Sequence, residues 1–429
     1  LTESMEPIFQ AIIEHCPAPE VDLDGPLQLQ ISALDFNAFQ GVIGVGRIRR
    51  GQLKRNQPVS VVDRNGNTRT GKVLQILGYK GLERLEQEAA TAGDIVCITG
   101  LDPLSISDTV CSVSLIEGLP PLIVDEPTVS MTFQVNDSPF AGRDGKYITS
   151  RNIKERLERE LIHNVALRVE QGESPDQFIV SGRGELHLSV LIESMRREGF
   201  ELGVSRPEVI TKEVDGVKKE PYEYLVIDIE DQHQGAVMEA MGLRKADIKN
   251  LQPDGQGRLR LEYIIAARGL IGFRSMFLAM TSGTGIMSHV FDHYGPVKLG
   301  ELGNRVNGVL VSMTNGETTG YSLFSLQDRG RLMLGPGVEV YEGMLLGLHA
   351  RSNDLPVNPV KGKQLTNIRA AGTDENLILT PPIKLTLESA LEFIDDDELV
   401  EVTPSNIRLR KKLLKESDRK RAGRAKAAS

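Results

Sequence analysis

The octet Ser181–Leu188 (SGRGELHL) constrains the fold of this chain more than any other segment. The apolar run Gln177–Ser181 at its start predicts a short strand. From its last residue onward, apolar residues recur with the i, i+3, i+4, i+7 spacing of one buried helical face, at Leu188, Leu191, Ile192 and Met195. Gly182 and Gly184 allow a tight reversal between the two elements, and Gly199 predicts the end of the helix. The octet therefore predicts a strand–turn–helix unit.

This unit falls within residues 121–210, whose pattern predicts the order strand, helix, strand, strand, helix, strand. That order is the split βαβ plan of ferredoxin-like domains. A second copy is predicted over residues 211–296, where the second helix repeats the same spacing at Phe273, Met276, Phe277 and Met280. We therefore expect a multidomain α+β chain that contains two ferredoxin-like domains in tandem.

Residues 21–120 contain many short alternating strand patterns separated by turn signals. Asn65-Gly66 is typical of a two-residue hairpin, and a succession of short strands with such turns favours a closed β-barrel. Residues 1–20 carry a helical apolar face that ends before Pro17 and Pro19. We expect this segment to be the tail of an upstream domain, followed by a linker.

Residues 297–429 are expected to form a mixed, β-rich C-terminal domain. The predicted strands are Gly308–Met313, Gly320–Ser325, Val338–Tyr341 and Met344–Leu348. A long polar loop is predicted over Asp354–Asn376, a short helix begins at Ser389, and a basic helix or tail follows Pro404.

The net charge of −9 is distributed unevenly along the chain. Ten Lys and Arg against two acids give residues 406–429 a charge of +8, so the remainder carries −17 (−9 minus +8). A basic tail on an acidic body favours contact with nucleic acid, and a solvated tail is the alternative. The predicted polar loop carries further cations with no acid between them, which also favours contact with nucleic acid. The alternative for this loop is an ordinary surface loop. The candidate phosphate contacts are Lys361, Lys363, Arg369, Arg408, Arg410, Lys411 and Lys412.

The sequence offers no catalytic, cofactor-binding or metal-binding set. Gly66–Lys72 resembles the phosphate loop GxxxxGK[ST], but Val73 stands where magnesium needs a hydroxyl, and a strand is predicted after it. His289 and His293 lack the glutamate of a zinc helix motif, and the acids Asp395–Glu398 are typical of a solvated turn. Three cysteines without a CxxC pair favour a reducing, cytoplasmic setting. No apolar run is long enough to cross a membrane.

Several segments together resemble the BipA (also TypA) family of translational GTPases, which are similar to elongation factor G. The segments that carry the resemblance are Asp22–Pro26, Gly182–His187, Ala267–Gly272, Asn358–Lys363 and Asn367–Gly372. The last two are similar to the family's own C-terminal domain and separate it from elongation factor G and LepA.

The resemblance implies a cytoplasmic, monomeric, GTP-dependent ribosome binder that acts in 50S subunit assembly and stress adaptation. It implies contacts with 23S rRNA, ribosomal proteins and the tRNA acceptor end, which the C-terminal loop would approach. GTP and magnesium belong to the family's GTP-binding domain, whose motifs do not occur in this sequence. We therefore expect a fragment without that domain, which takes no cofactor and does not hydrolyse GTP by itself.

A regulatory protein that binds a small metabolite is the alternative, because ACT-type domains also pair ferredoxin-like modules. Such a protein needs a ligand site at a module interface and has no use for a basic tail. Thermal shift against amino acids and nucleotides, beside a ribosome pelleting assay, separates the two functions.

Overall fold

The computed structural model describes residues 4–17, 20–37, 39–81, 83–122, 126–214, 216–300, 305–362 and 377–428. The chain divides into two compact units, residues 1–124 with 159–165 and residues 125–158 with 166–429. Within the described ranges, every helix is too short or too polar to reach across a bilayer.

The first unit begins with helix α1 (Glu6–His15), whose apolar side chains are exposed, and continues with short strands. The strands are β1 (Gln28–Asn37), β2 (Gly41–Arg50), β3 (Gln52–Lys54), β4 (Pro58–Val62), β5 (Thr68–Lys72), β6 (Gln75–Lys80), β7 (Glu83–Gln87), β8 (Ala89–Thr91), β9 (Ile95–Thr99) and β10 (Thr109–Ser112). Eight of them form an antiparallel sheet in the order β5-β4-β10-β1-β2-β9-β6-β7, and β3 pairs with β8. Their inward residues share one apolar core, as the period-two pattern predicts.

The second unit opens with a ferredoxin-like module. Its elements are β11 (Val129–Val135), α2 (Ser150–His163), β12 (Arg168–Gln171), β13 (Gln177–Gly182), α3 (Glu185–Arg197), β14 (Leu202–Val204) and the short β15 (Glu208–Val209). The strands follow the antiparallel order β12-β13-β11-β14, which is the order of the split βαβ plan. The predicted fold of this module is therefore confirmed.

A second module repeats this arrangement. Its elements are β16 (Lys212–Val214), β17 (Val217–Glu230), α4 (Gln234–Leu243), β18 (Asp247–Pro253), β19 (Arg258–Ala266), α5 (Phe273–Met280) and β20 (Ile286–Pro296). Strand β17 lies between β19 and β20, and β18 pairs with the far side of β19. Short 3-10 turns at Asp231–His233 and Ala267–Gly269 precede the two helices.

Helix α3 shows why the octet folds as predicted. Its buried apolar side chains are Leu188, Leu191, Ile192 and Met195, the four that the spacing selected. They pack with β11 and β13 in one core, so burial of this face stabilises both the helix and the sheet. Gly199 follows the helix with a φ of +96°, a backbone conformation that favours glycine and stops the helix.

The remaining elements are β21 (Val309–Ser312), β22 (Gly316–Glu317), α6 (Gly320–Leu326), β23 (Gly330–Leu332), β24 (Glu339–Val340), β25 (Leu345–His349), β26 (Leu355–Val357), α7 (Leu387–Phe393), β27 (Glu398–Val402), β28 (Ile407–Lys411) and α8 (Glu416–Ala428). A 3-10 turn at Gln327–Arg329 joins α6 to β23. Four strands form a sheet in the order β23-β25-β21-β26, and β22 pairs with β24.

Three predictions in this region were wrong. Leu355–Val357, predicted as part of the polar loop Asp354–Asn376, forms strand β26, because it pairs in parallel with β21. Gly320–Ser325 is a helix rather than a strand, because the Thr319 hydroxyl accepts a hydrogen bond from the Ser322 amide (3.1 Å) and caps the helix. The residues after Pro404 form strand β28 before the basic helix α8 begins.

Strands β27 and β28 lengthen the sheet of the first ferredoxin-like module. Strand β14 pairs with β27 from Leu202–Val402 to Val204–Val400, and β27 pairs with β28. The boundary predicted at residue 297 stays a prediction about domains, but the sheet itself combines strands from both sides of it.

Candidate nucleic-acid interface

Two of the predicted phosphate contacts, Arg410 and Lys411, lie in the protein interior. The Arg410 side chain has no exposed area and pairs with Asp137. The Lys411 ammonium is paired with three carboxylates: Asp354 at 2.6 Å, Asp397 at 2.9 Å and Glu398 at 2.9 Å. Because both side chains are buried and paired with carboxylates, Arg410 and Lys411 do not present their charges to a phosphate ligand.

Strand β28 buries these cations because both of its faces are covered. Leu409 points into the core shared with α3, and the alternation of a strand turns Arg408 and Arg410 to the opposite side. There the Arg408 guanidinium lies over the Phe140 ring (5.2 Å to the centroid) and donates to Glu401 at 3.1 Å. Arg408 is 18% exposed, so its charge is largely committed to this contact.

The same face carries a buried polar network centred on Glu401. Its carboxylate accepts hydrogen bonds from Tyr341 (2.6 Å), Ser138 (2.9 Å) and Asn136 (3.1 Å). Burial, and then the nearby Glu401 charge, raise the pKa of Tyr341. These donors reach the Glu401 carboxylate only in the folded chain, so the network of hydrogen bonds holds β27 and β28 in place.

The acids Asp395–Glu398 were expected to form a solvated turn, and for Glu398 this prediction was wrong. Glu398 is fully buried and accepts two hydrogen bonds from Arg305, at 2.8 and 2.9 Å. Although burial opposes the charge, Arg305 and Lys411 hold the pKa of Glu398 below its usual value. The turn therefore supplies a structural anchor.

The remaining predicted contacts divide into two kinds. Lys361 and Lys412 are exposed, and the Lys361 carbonyl accepts a hydrogen bond from Thr319 at 2.7 Å. Lys363 and Arg369 lie outside the described residues, so their contact with RNA stays a prediction from sequence.

The borders of the stretch 363–376 are attached to helix α6 on one side and to the 3-10 turn that follows it on the other. On one side the Ser322 hydroxyl donates to the Asn358 carbonyl at 2.6 Å. On the other side the Gln327 amide donates to the Ile378 carbonyl (3.2 Å) and accepts from the Thr380 amide (3.0 Å). Helix α6, which the sequence analysis missed, and the turn after it therefore anchor the two ends of the segment that carries the predicted loop.

The octet and the segment Ala267–Gly272 meet in the second unit. They line a cavity of about 250 Å³ with Arg274 and with His289 of β20. Gly182 must lack a side chain there, because a Cβ would lie 2.8 Å from the His187 ring nitrogen. Gly272, at a φ of +70°, donates its amide hydrogen to the Glu185 carboxylate. Two motifs that are about 85 residues apart in sequence thus form one junction.

Glu185 dominates the electrostatics of this junction. Its removal from water, and then the charge of Glu392 on α7, raise its pKa to about 7.

His289 is hydrogen-bonded to Glu223 of β17, and this contact raises the pKa of the imidazole. His293 pairs with Asp292 at 2.5 Å instead of with His289. No group of three or more metal-ligating side chains occurs in the described parts of the chain.

Comparison with known proteins identifies three domains. Residues 41–111 match the family model of elongation factor Tu domain 2, residues 217–304 match the elongation factor G C-terminus, and residues 307–416 match the TypA/BipA C-terminal domain. These domains and the two ferredoxin-like modules define an elongation factor-like protein of the translational GTPase class.

The relatives then fix the family. Proteins named "Large ribosomal subunit assembly factor BipA" are 62% identical in Escherichia coli K12 (99% of this chain, 70% of the relative) and 61% identical in Haemophilus influenzae (99% and 69%). The protein of that name from Buchnera aphidicola is 55% identical, over 99% of this chain and 70% of the relative. The chain belongs to the BipA family.

The expectation that the chain is a fragment gains no support from these alignments. The metabolite-binding alternative also has no support among them. A crystal structure from Thermus thermophilus aligns at a TM-score of 0.45 and 16% identity, over 68% of this chain and 59% of that one, which is too low to argue from.

Proposed function

We propose that this protein acts in assembly of the large ribosomal subunit, in the cytoplasm, by binding ribosomal RNA as a monomer. The observation that carries the proposal is the identity of 62% over 425 residues to relatives whose name states that role. The exposed side chains of Lys361 and Lys412 support it, because phosphate backbones bind Lys and Arg through charge-assisted contacts and ion release. Contact with 23S rRNA, ribosomal proteins and the tRNA acceptor end, and a role in stress adaptation, belong to the same proposal.

The cations assigned to RNA are Lys361, Lys363, Arg369 and Lys412, since the others are committed to carboxylates. Four phosphate contacts give an expected slope of log affinity against log salt of about −3, at about 0.7 to 0.9 per contact. The joint change Lys361→Ala, Lys363→Ala and Arg369→Ala should therefore flatten the slope by about 2 and weaken co-sedimentation with 50S particles.

Lys420→Ala is the matched control. Lys420 is exposed but already paired with Glu416 at 2.6 Å, so its removal should leave co-sedimentation unchanged. If the triple variant pelleted with 50S particles as the unchanged protein does at every salt concentration, the assignment of these cations would be refuted. If the unchanged protein failed to pellet even at low salt, the proposed function itself would fail.

We also propose that these domains take no nucleotide cofactor. The run that resembles a phosphate loop contains strand β5, which pairs with β4 from Thr68–Val62 to Lys72–Pro58, so a strand stands where a phosphate loop needs a helix N-terminus. Isothermal titration with GTP and magnesium should give no binding heat. A measurable dissociation constant would overturn this part of the proposal.

A further inference from the structure

A polar cleft of about 400 Å³ lies at the end of β25, and none of the cations selected from the sequence is among its lining residues within the described ranges. Its walls include Arg329, His349, Arg351 and Asn353. Both arginines are exposed. Neither guanidinium has an ion pair or hydrogen bond to any residue within the described ranges, in contrast to Arg408 and Arg410.

The backbone fixes where the two arginines stand. The Arg329 carbonyl accepts a hydrogen bond from the Ala350 amide (2.9 Å), and the Arg351 carbonyl accepts one from the Gly308 amide (2.8 Å). These contacts require close approach, because a Cβ on Gly308 would lie 2.3 Å from the Asn353 carbonyl group. The main chain that carries both guanidinium groups is therefore held in place before any ligand arrives.

The charge of the cleft favours an anion. Asp328 is the one carboxylate among its lining residues. Asp354 follows the lining residue Asn353 in sequence. Its carboxylate accepts a hydrogen bond from the Val309 amide at 2.9 Å and forms an ion pair with Lys411. His349 is 5% exposed, and its Nδ1 hydrogen is donated to the Asn353 carbonyl at 2.5 Å. The planar fork of each arginine matches the oxygens of a phosphate group.

We propose that this cleft binds a backbone phosphate of single-stranded RNA through Arg329 and Arg351. The proposal rests on the proposed function, since it locates a second RNA contact on a protein that we propose binds ribosomal RNA. Sequence reasoning did not select these residues, because Arg329 and Arg351 are 22 positions apart and line one cleft only through the pairing of β23 with β25.

The test uses the full chain and the double variant Arg329→Ala, Arg351→Ala. Arg331→Ala is the matched control, because Arg331 is exposed on β23 but does not line the cleft. Fluorescence anisotropy with a labelled single-stranded RNA dodecamer gives the dissociation constant from about 50 to 200 mM KCl, the range over which phosphate contacts weaken most visibly. Loss of the one phosphate contact, at about 0.7, should flatten the salt slope by about 0.7, so the unchanged protein loses about 2.6-fold more affinity than the variant over this range.

A slope equal to that of the unchanged protein, or a change no larger than that of Arg331→Ala, would overturn the proposal. Cytidine monophosphate supplies the second arm. If cytidine monophosphate displaces the RNA dodecamer only at millimolar concentrations, and the double variant still has the flatter salt slope, the cleft is an RNA backbone site. Tight competition by the free nucleotide, with a slope that the double variant does not change, would overturn it.

The cleft and the proposed function fail in different ways. A chain that pellets with 50S particles but shows no cleft-dependent slope refutes the cleft alone. A chain that binds the dodecamer through the cleft but never pellets with 50S particles refutes the assembly role and leaves the cleft assigned. Far-UV circular dichroism of the double variant should match that of the unchanged protein, because neither guanidinium makes an ion pair or hydrogen bond to a described residue.

Discussion

Replacing Glu185 by Gln tests the electrostatics of the junction between the two ferredoxin-like modules. Burial, followed by Glu392, raises the pKa of Glu185 from 4.5 to about 7. Between these two values the folded protein keeps a proton that the unfolded chain releases. The free energy of unfolding therefore falls as pH rises through this window, and the full cost of the buried charge is present above about pH 7.

The magnitude follows from the two pKa values. The interval from 4.5 to about 7, at about 1.36 kcal/mol per pH unit, sets an upper limit of about 3 kcal/mol. Glutamine keeps the shape of the side chain and an acceptor for the Gly272 amide, but has no charge to bury. Glu185→Gln should match the unchanged protein at about pH 4.5 and exceed its free energy of unfolding by up to about 3 kcal/mol at about pH 8.

Urea unfolding at about pH 5, 6, 7 and 8 measures this difference, read by circular dichroism and by the fluorescence of the eight tyrosines, since the chain has no tryptophan.

Glu193→Gln is the control in the same helix. Arg196 and Arg197 lower the pKa of Glu193 to about 2, so its contribution is fully present above the usual value of 4.5 and is lost as pH falls towards about 2. This control should be less stable by about 0.5–1 kcal/mol throughout the range from about pH 5 to 8. A pH-independent difference for Glu185→Gln would refute the reasoning.

Two further predictions concern buried or paired charges. Lys411→Met should lower the free energy of unfolding by about 3–5 kcal/mol, because it removes a partner of the buried Glu398. Urea unfolding measures this loss, and a loss under about 1 kcal/mol would contradict the pairing. Glu223→Gln should lower the pKa of His289 in an NMR titration, because the Glu223 hydrogen bond raises it. The stabilisation from the pair of His289 and Glu223 is complete below about pH 6.5 and is lost as pH rises through the raised pKa of His289. If Glu223→Gln left the titration of His289 unchanged, this stabilisation would be excluded.

Local patterns predicted most of the fold. The buried face of α3 could be read from spacing alone, since its four apolar residues lie within eight positions of one another. Helix α6 was missed although a capping signal was present in Thr319, because a short run that contains the aromatic residues Tyr321 and Phe324 also fits a strand. A threonine followed three residues later by a serine was the signal that could have identified it.

The basic residues show where sequence reasoning stops. Arg410 and Lys412 look equivalent in the sequence, yet one is buried against Asp137, 273 positions away, and the other is exposed. Arg329 and Arg351 stand apart from the basic tail and line one cleft. Pairing and desolvation depend on which residues pack together, and a linear pattern does not contain that information.

The sequence by itself determined the order of helices and strands in the two ferredoxin-like modules and the resemblance to a family, because periodicity and contiguous motifs act over a few residues. The tertiary structure decided which charges face solvent, why Glu185 holds its proton near neutral pH, and how β27 and β28 join a distant sheet. The physical reason is that the free energy of a charge depends on its distance from water and from its partners, and folding sets both.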